Sequence, residues 1–183
     1  EDLSAVVFKT IVDPFLGKIS LFKVISGRMT KDTEIYNSTK SITEKATGLF
    51  YLRGKTQIET DEVVAGDIGA FSKLEETQTG DTISSKSNPI VYKKIKYPQA
   101  SLRFAIEPQT KNDEDKIGHA LIRISEEDPT FSFERNAETR QLTILGLGNV
   151  QLQTVLDKLK NTYSVKTNVI PLRVAYRETI KGK

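Results

Sequence analysis

Gly54-Lys55-Thr56 carries the residue types that close a phosphate-binding loop, in which backbone N–H groups cradle the phosphates and a lysine reaches them. That chemistry needs an earlier glycine at position 49, where the chain has Leu49, and Gly48 is one residue too far. It also needs a helix behind the loop, whereas Gln57-Ile58-Glu59 alternates like a strand. The stretch reads as a hairpin tip. Gly146-Leu147-Gly148 is a second candidate, because a glycine turn opening a helix presents free N–H groups to an anion. The third glycine of such a fingerprint is replaced by Gln151, and no Lys-Ser or Lys-Thr follows. The glycines therefore read as a turn that lets a helix fold back onto its own strand. Asn149 is the expected N-cap, and Gly148 the position that demands glycine's backbone.

Glu126-Glu127-Asp128 invites a metal reading, but three consecutive carboxylates at a helix end before Pro129 do not converge on one ion unaided. They read as a solvated acidic turn. His119 is the only histidine and there is no cysteine, so the inventory excludes a histidine-based metal cluster, a thiolate nucleophile and a disulfide. His119 stands two residues from both Ile117 and Leu121, off the apolar stripe, and is read as solvated.

The composition, 37% hydrophobic and 28% charged, is that of a chain able to bury a core over 183 residues. No apolar run approaches the ~20 residues of a membrane span, and nothing resembles a signal peptide. The net charge of +3 is mild. Residues 1–95 carry 13 basic and 13 acidic side chains, and residues 96–183 carry 14 and 11. Any nucleic-acid contact must come from local clusters of charge. The chain begins at Glu1 and ends at Lys183 just after an apolar run, and is expected to be a fragment of something longer.

The elements that position these residues change character near residues 92–98. Before it the spacing predicts strands only: Ala5–Ile11, Ile19–Ile25, Glu34–Asn37, Glu44–Leu52, Gln57–Val64 and Ile68–Leu74. The first two are joined by a hairpin loop at Asp13-Pro14-Phe15-Leu16-Gly17, and Ser26-Gly27-Arg28-Met29 breaks the second. Many short strands without helical periodicity predict a small closed β-barrel. Beyond the boundary Leu102, Phe104 and Ile106 alternate, and Thr110–Asp113 has capping-box spacing. Ile117, Ala120, Leu121 and Ile124 make one helical stripe, and Leu152, Val155, Leu156, Leu159 and Tyr163 another. With strands at Phe131–Phe133, Leu142–Ile144 and Val165–Val169, and a turn at Asn136–Thr139, the order is βαββαβ. That order predicts a ferredoxin-like α+β domain with both helices on one sheet face. RNA-recognition modules share it and stack bases on aromatics of the open face. Here Phe104, Phe131 and Phe133 share parity with the core positions, leaving Arg103, Ser132, Glu134, Thr143 and Lys166 outward, so that mode is rejected. The domain expectation is a barrel over 1–95, the α+β domain over 96–173, and the start of a further domain over 174–183.

Several segments, taken in order, resemble one family. Phe8-Lys9 leading into Asp13-Pro14-Phe15-Leu16-Gly17-Lys18, then Ser26-Gly27, Ala65-Gly66-Asp67-Ile68-Gly69-Ala70 and Thr79-Gly80-Asp81-Thr82, resemble the second domain of elongation factor G. Ile106-Glu107-Pro108, Glu126-Glu127-Asp128-Pro129-Thr130-Phe131, Gly146-Leu147-Gly148 and Tyr176-Arg177-Glu178-Thr179 resemble its third domain and the entry to its fourth. The match covers nearly the whole chain. The resemblance implies a fragment of a cytoplasmic, ribosome-binding translational GTPase, with no catalytic groups of its own. GTP and magnesium would be held by an N-terminal GTPase domain of the same protein. The barrel would rest on small-subunit ribosomal RNA, and the third domain would lie near a small-subunit protein and relay nucleotide state during translocation. No membrane partner is implied. Carried over by position, the barrel hairpin that faces RNA contains Gly17 and Lys18; Arg28 and Lys31 in the next turn are added on electrostatic grounds.

One place departs from the family. Where elongation factor G has Glu-Leu-His-Leu after the second glycine, this chain has Asn149-Val150-Gln151-Leu152, closer to the ribosomal-protection relatives that dislodge tetracycline. The Asp-Pro-Phe hairpin and Thr-Gly-Asp-Thr resemble elongation factor G itself. A divergent paralogue working in translocation, recycling or rescue follows, with a protein–protein interaction module built on the second domain's open sheet face as the alternative.

Overall fold

The computed structural model describes residues 1–13 and 17–176. Residues 14–16 of the expected hairpin loop, and residues 177–183 of the expected further domain, lie outside the described residues. Two compact units are present, Glu1–Lys96 with Glu126–Asp128, and Tyr97–Ser125 with Pro129 onward.

The first unit is all β. Its strands are β1 (Ser4–Asp13), β2 (Gly17–Ser26), β3 (Arg28–Thr30), β4 (Glu34–Asn37), β5 (Ile42–Lys45), β6 (Thr47–Arg53), β7 (Thr56–Glu59), β8 (Glu62–Val64), β9 (Ile68–Ser72) and β10 (Thr82–Ser84). Val-, Ile- and Phe-rich sequence favours the long β1–β2 hairpin, paired from Ser4↔Ser26 to Asp13↔Gly17. A bulge leaves Phe8 without a partner between Val7↔Phe22 and Lys9↔Leu21. It switches the inward parity from Ala5 and Val7 to Thr10 and Val12, and Phe8 becomes exposed.

Two of the expected runs are broken. Glu44–Leu52 divides at Ala46, because β5 pairs with β4 whereas β6 pairs with β9. Gln57–Val64 divides at Thr60-Asp61, where the Thr60 hydroxyl bonds to both backbone groups of Glu62 and turns the chain. The ladder runs β5-β4-β10-β1-β2-β9-β6-β7, and β3–β8 form a separate ribbon. The barrel is therefore present in a looser form than the closed one expected, since among the described residues β5 and β7 do not pair with each other.

Inside lie Ala5, Val7, Phe22, Val24, Met29, Ile35, Leu49, Val63, Phe71, Leu74 and Ile83. Phe22 and Phe71 stack with ring centroids 4.7 Å apart. Truncating a fully buried ring of this kind costs about 3–5 kcal/mol, a large share of the ~5–15 kcal/mol that holds a domain together. Gly69 makes room for that pair: a Cβ there would come within 2.8 Å of Phe22 Cζ and of Val63 Cγ2. Glu44, on an outer strand, ties in the loop before β10. Its carboxylate accepts the N–H groups of Glu75, Glu76 and Thr77, each at 2.9 Å, and the Thr77 hydroxyl. Buried Asp81 is satisfied in the same way, by Asn37 Nδ2 at 2.9 Å and Gln78 N at 3.0 Å, with Lys40 and Lys94 as ion-pair partners.

The second unit contains β11 (Leu102–Pro108), α1 (Lys111–Glu127), β12 (Ser132–Arg135), β13 (Leu142–Gly146), α2 (Asn149–Asn161) and β14 (Thr167–Ile170). The sheet order β12-β13-β11-β14, all antiparallel, is that of the ferredoxin-like βαββαβ unit. Thr110 and Asp113 form a reciprocal capping box. Asp113 N donates to Thr110 Oγ1 at 3.2 Å, and Thr110 N donates to Asp113 Oδ2 at 3.2 Å. Both predicted stripes are in the core: Ile117, Ala120, Leu121 and Ile124 from α1, and Leu152, Val155 and Leu159 from α2. Phe131 is buried, and Phe104 and Phe133 pack against the same core, so no aromatic is offered on the opposite sheet face by these three residues. Among the described residues no helix is long and apolar enough to cross a membrane.

Candidate functional site

Gly54 and Lys55 form the two-residue tip between β6 and β7, closed by the pair Arg53↔Thr56, and Gly54 takes the left-handed φ of +60° that such a tip requires. A strand follows, as expected. At the Gly146–Gly148 turn the anion position is used by the chain itself: Gln151 Oε1 accepts the Leu147 N–H at 2.6 Å, and Gln151 Nε2 donates to Thr130 Oγ1 at 2.7 Å. The N-cap of α2 is Gly148, one residue before the expected Asn149, and it makes no side-chain cap bond. Gly148 is extended, with φ −176° and open space around its Cβ position. The glycine that the fold-back demands is Gly146, where a Cβ would lie 2.6 Å from Gln151 Oε1 and 2.8 Å from Leu152 Cδ2. Among the described residues no group of three or more histidine and carboxylate side chains is placed to hold a metal ion.

The four residues expected on an RNA-facing edge are placed as follows. Gly17 opens β2 with φ +77°, and its Cβ position is open, so what it supplies is backbone conformation rather than close packing. Lys18 beside it is only 7% exposed; its Nζ donates to the carbonyl of Glu75 at 2.9 Å and pairs with Glu126 Oε1 at 3.6 Å. An ammonium taken out of water needs such partners, and the charge is held inward. Glu127 Oε1 accepts the Val12 N–H, so the acidic turn is engaged rather than solvated as expected. Arg28 opens the short strand β3 and Lys31 follows it. Arg28 Nη1 meets Glu62 Oε2 at 3.0 Å, and Lys31 Nζ meets Glu59 Oε2 at 3.4 Å. All four of these side chains are at least 35% exposed, so each pair is worth under about 1 kcal/mol and exchanges readily for another anion. Gly27 fixes the start of this ribbon, since its φ is +68° and a Cβ there would strike the carbonyls of Glu1 and Asp2 at 2.9 Å.

Arg28 also stands at a cleft of about 420 Å³ lined by Thr30, Thr33, Tyr36, Ser85 and Lys86 among others. Glu34 also lines it, but hydroxyls and two cations predominate over that one carboxylate, and such groups bind a sugar–phosphate chain without reading sequence. Lys86 is not legible as part of this site, because nothing in Ser85-Lys86-Ser87 shows that its strand-end lies beside β3. A second concave feature lies in the other unit. Lys116, His119 and Arg123 recur at i, i+3 and i+7 along α1, and with Asp115, Ala120, Tyr163 and Val165 they line a groove of about 240 Å³. Reading His119 as solvated is correct as far as its exposure goes, but it misses the basic row to which it belongs.

With this geometry in hand, comparison with known proteins gives one answer along the whole chain. Residues 2–86 match the family model described as elongation factor G domain 2, and residues 97–171 match that of elongation factor G, domain III. The elongation factors G of Thermotoga neapolitana and Thermotoga maritima are each 42% identical to it over 181 residues, which is 99% of this chain and 26% of theirs. The chain thus spans about a quarter of the length of these curated relatives. A crystal structure of a Thermus thermophilus protein superimposes with a TM-score of 0.84 at 28% identity, over 99% of this chain and 27% of that one.

Proposed function

The chain belongs to the elongation factor G family, and we propose that it is the barrel and α+β part of a ribosome-binding translational GTPase. In this reading the first unit docks on small-subunit ribosomal RNA, and the second lies near a small-subunit protein and relays nucleotide state to distal domains during translocation. GTP and its magnesium are held by a GTPase domain elsewhere in the same protein. The observation that carries the reading is the ordered pair of matches, domain 2 and then domain III, over residues 2–86 and 97–171. The hydroxyl-lined cleft supports it physically, with Arg28 and Lys86 beside it and Lys31 along the same ribbon. The weight of the RNA contact falls on these exposed cations and on the Gly17 backbone, rather than on the inward-held ammonium of Lys18.

The test is the affinity of the full-length protein for small ribosomal subunits across a salt series. Each phosphate contact removed should lower the salt slope by about 0.9 on a duplex segment. Arg28→Glu with Lys86→Glu should weaken binding at least tenfold and flatten that slope, while GTP binding without ribosomes is retained. Unchanged affinity and slope would place the RNA-facing surface elsewhere. A second reading, ribosomal protection, is favoured by Asn149-Val150-Gln151-Leu152, in which Gln151 ties Leu147 to Thr130. Release of ribosome-bound tetracycline by the full-length protein, in the absence of translocation, would select it.

A further inference from the structure

The groove on the second unit is separate in residues and in unit from the barrel surface just described. One wall is the outer face of α1, bearing Lys116, His119 and Arg123; Tyr163, from the turn after α2, is the other, and Ala120 and Val165 form the floor. Ala120 and Val165 are buried, so the floor is held by the core, while Lys116, His119 and Arg123 are exposed. None of the three makes an ion pair or a side-chain hydrogen bond among the described residues. Asp115, at one end of the row, is the only acid among the described residues that line the groove. The cavity, about 240 Å³, is below the ~300–1,000 Å³ of sites that enclose a small molecule. It is an open trough with donors along one side.

We propose that this trough is an RNA phosphate-binding surface, engaging successive phosphodiesters of one strand through Lys116, His119 and Arg123. The axial rise of a helix puts about 4.5 Å between the first two residues and about 6 Å between the second two. A row of donors over about 10 Å fits a chain of repeated anions better than a single carboxylate. Lys116 and Arg123 supply permanent charge, and Arg123 the forked geometry that phosphate oxygens accept. His119 offers an N–H donor in either tautomer. Asp115 repels phosphate at one end and so limits the contact to the stretch beyond it. The contact reads backbone charge and carries no base specificity, consistent with a sheet face from which the phenylalanines are turned away.

The experiment uses this chain and a fluorescein-labelled single-stranded RNA, with anisotropy recorded over a potassium chloride series. Lys116→Ala with Arg123→Ala should raise Kd about tenfold or more and reduce the salt slope by roughly 1.4, the share of two single-strand phosphate contacts. In the unmodified chain, adding RNA should shift the backbone amide signals of His119 and Tyr163. Those shifts should persist in an Arg28→Ala, Lys86→Ala variant, so loss of barrel docking and loss of this contact are told apart. Unchanged affinity and slope in the groove variant would overturn the proposal. So would tighter, groove-dependent binding of labelled polyglutamate than of RNA, which would make the partner an acidic protein surface.

Discussion

Arg103 on β11 and Glu134 on β12 belong to strands that do not pair with each other, yet Arg103 Nη1 and Glu134 Oε1 meet at 3.4 Å over the intervening strand β13. Glu134 is in register with Thr143 and Arg103 with Leu145, so the pair bridges the middle strand on the face away from the helices. Thr143, expected on that face as an outward residue, is only 3% exposed.

Both partners remain open to water, Arg103 at 59% and Glu134 at 50%. A double-mutant cycle, Arg103→Ala with Glu134→Ala, should therefore give a coupling of about 0.2–1 kcal/mol in denaturant unfolding. The coupling should fade as salt is raised. A coupling of several kcal/mol, insensitive to salt, would mean the pair is desolvated.

Valine should be tolerated at Gly148 and resisted at Gly146 and Gly54. Extended backbone with open space costs a side chain little at Gly148. At Gly146 a Cβ meets the fully buried Leu152 and displaces the Gln151 amide from the Leu147 N–H. At Gly54 the φ of +60° penalises a β-branched residue by about 1–3 kcal/mol. Thermal melts of the three variants check the order, and equal shifts at all three positions would contradict it.

The Asp113 carboxyl is held below its ordinary value of 3.8, chiefly by the Thr110 hydroxyl and then by the Lys166 N–H. A depressed folded value means that the ionised form is the one the fold prefers. The stability it contributes is complete above about 3.8 and is lost as pH falls through the lower folded value. Unfolding of the unmodified chain and of Asp113→Asn should thus differ at neutral pH, with the variant weaker, and converge in the acid range. A gap that widens on acidification would reverse the assignment.

How far the fold is legible follows from where its signals are local. The second unit's helices are local objects: the Thr110–Asp113 box and the stripe at Ile117, Ala120, Leu121 and Ile124 are all written within one short segment. The first unit's divisions are not. Ala46 is no strand breaker, and it ends β5 only because the neighbouring strand changes from β4 to β9. Strands β3 and β10, at three residues each, are too short to show a period. Glu44 contacts a loop more than 30 residues away, and Lys18 a carbonyl 57 residues away. At the turn into α2 the spacing points to the right turn and to the wrong glycine. The deciding contact there is the Gln151 side chain, whose direction no spacing reveals.

The unclosed ladder bears on how copies of this chain behave when crowded together. A sheet that does not meet itself leaves a row of backbone donors and acceptors along each outermost strand, available to a strand of another molecule. Here the outermost strands are β5 and β7, each four residues long, Ile-Thr-Glu-Lys and Thr-Gln-Ile-Glu. Brevity limits the number of intermolecular bonds that can form, and every such stack must bring Glu44 and Lys45, or Glu59, against a foreign strand. Glu44 is further anchored to the loop at Glu75–Thr77 by three backbone N–H groups and the Thr77 hydroxyl, which holds β5 in its own fold. Incomplete closure is thus compatible with a chain that stays dispersed, and the safeguard is carried by a few charged side chains at the margins of the sheet.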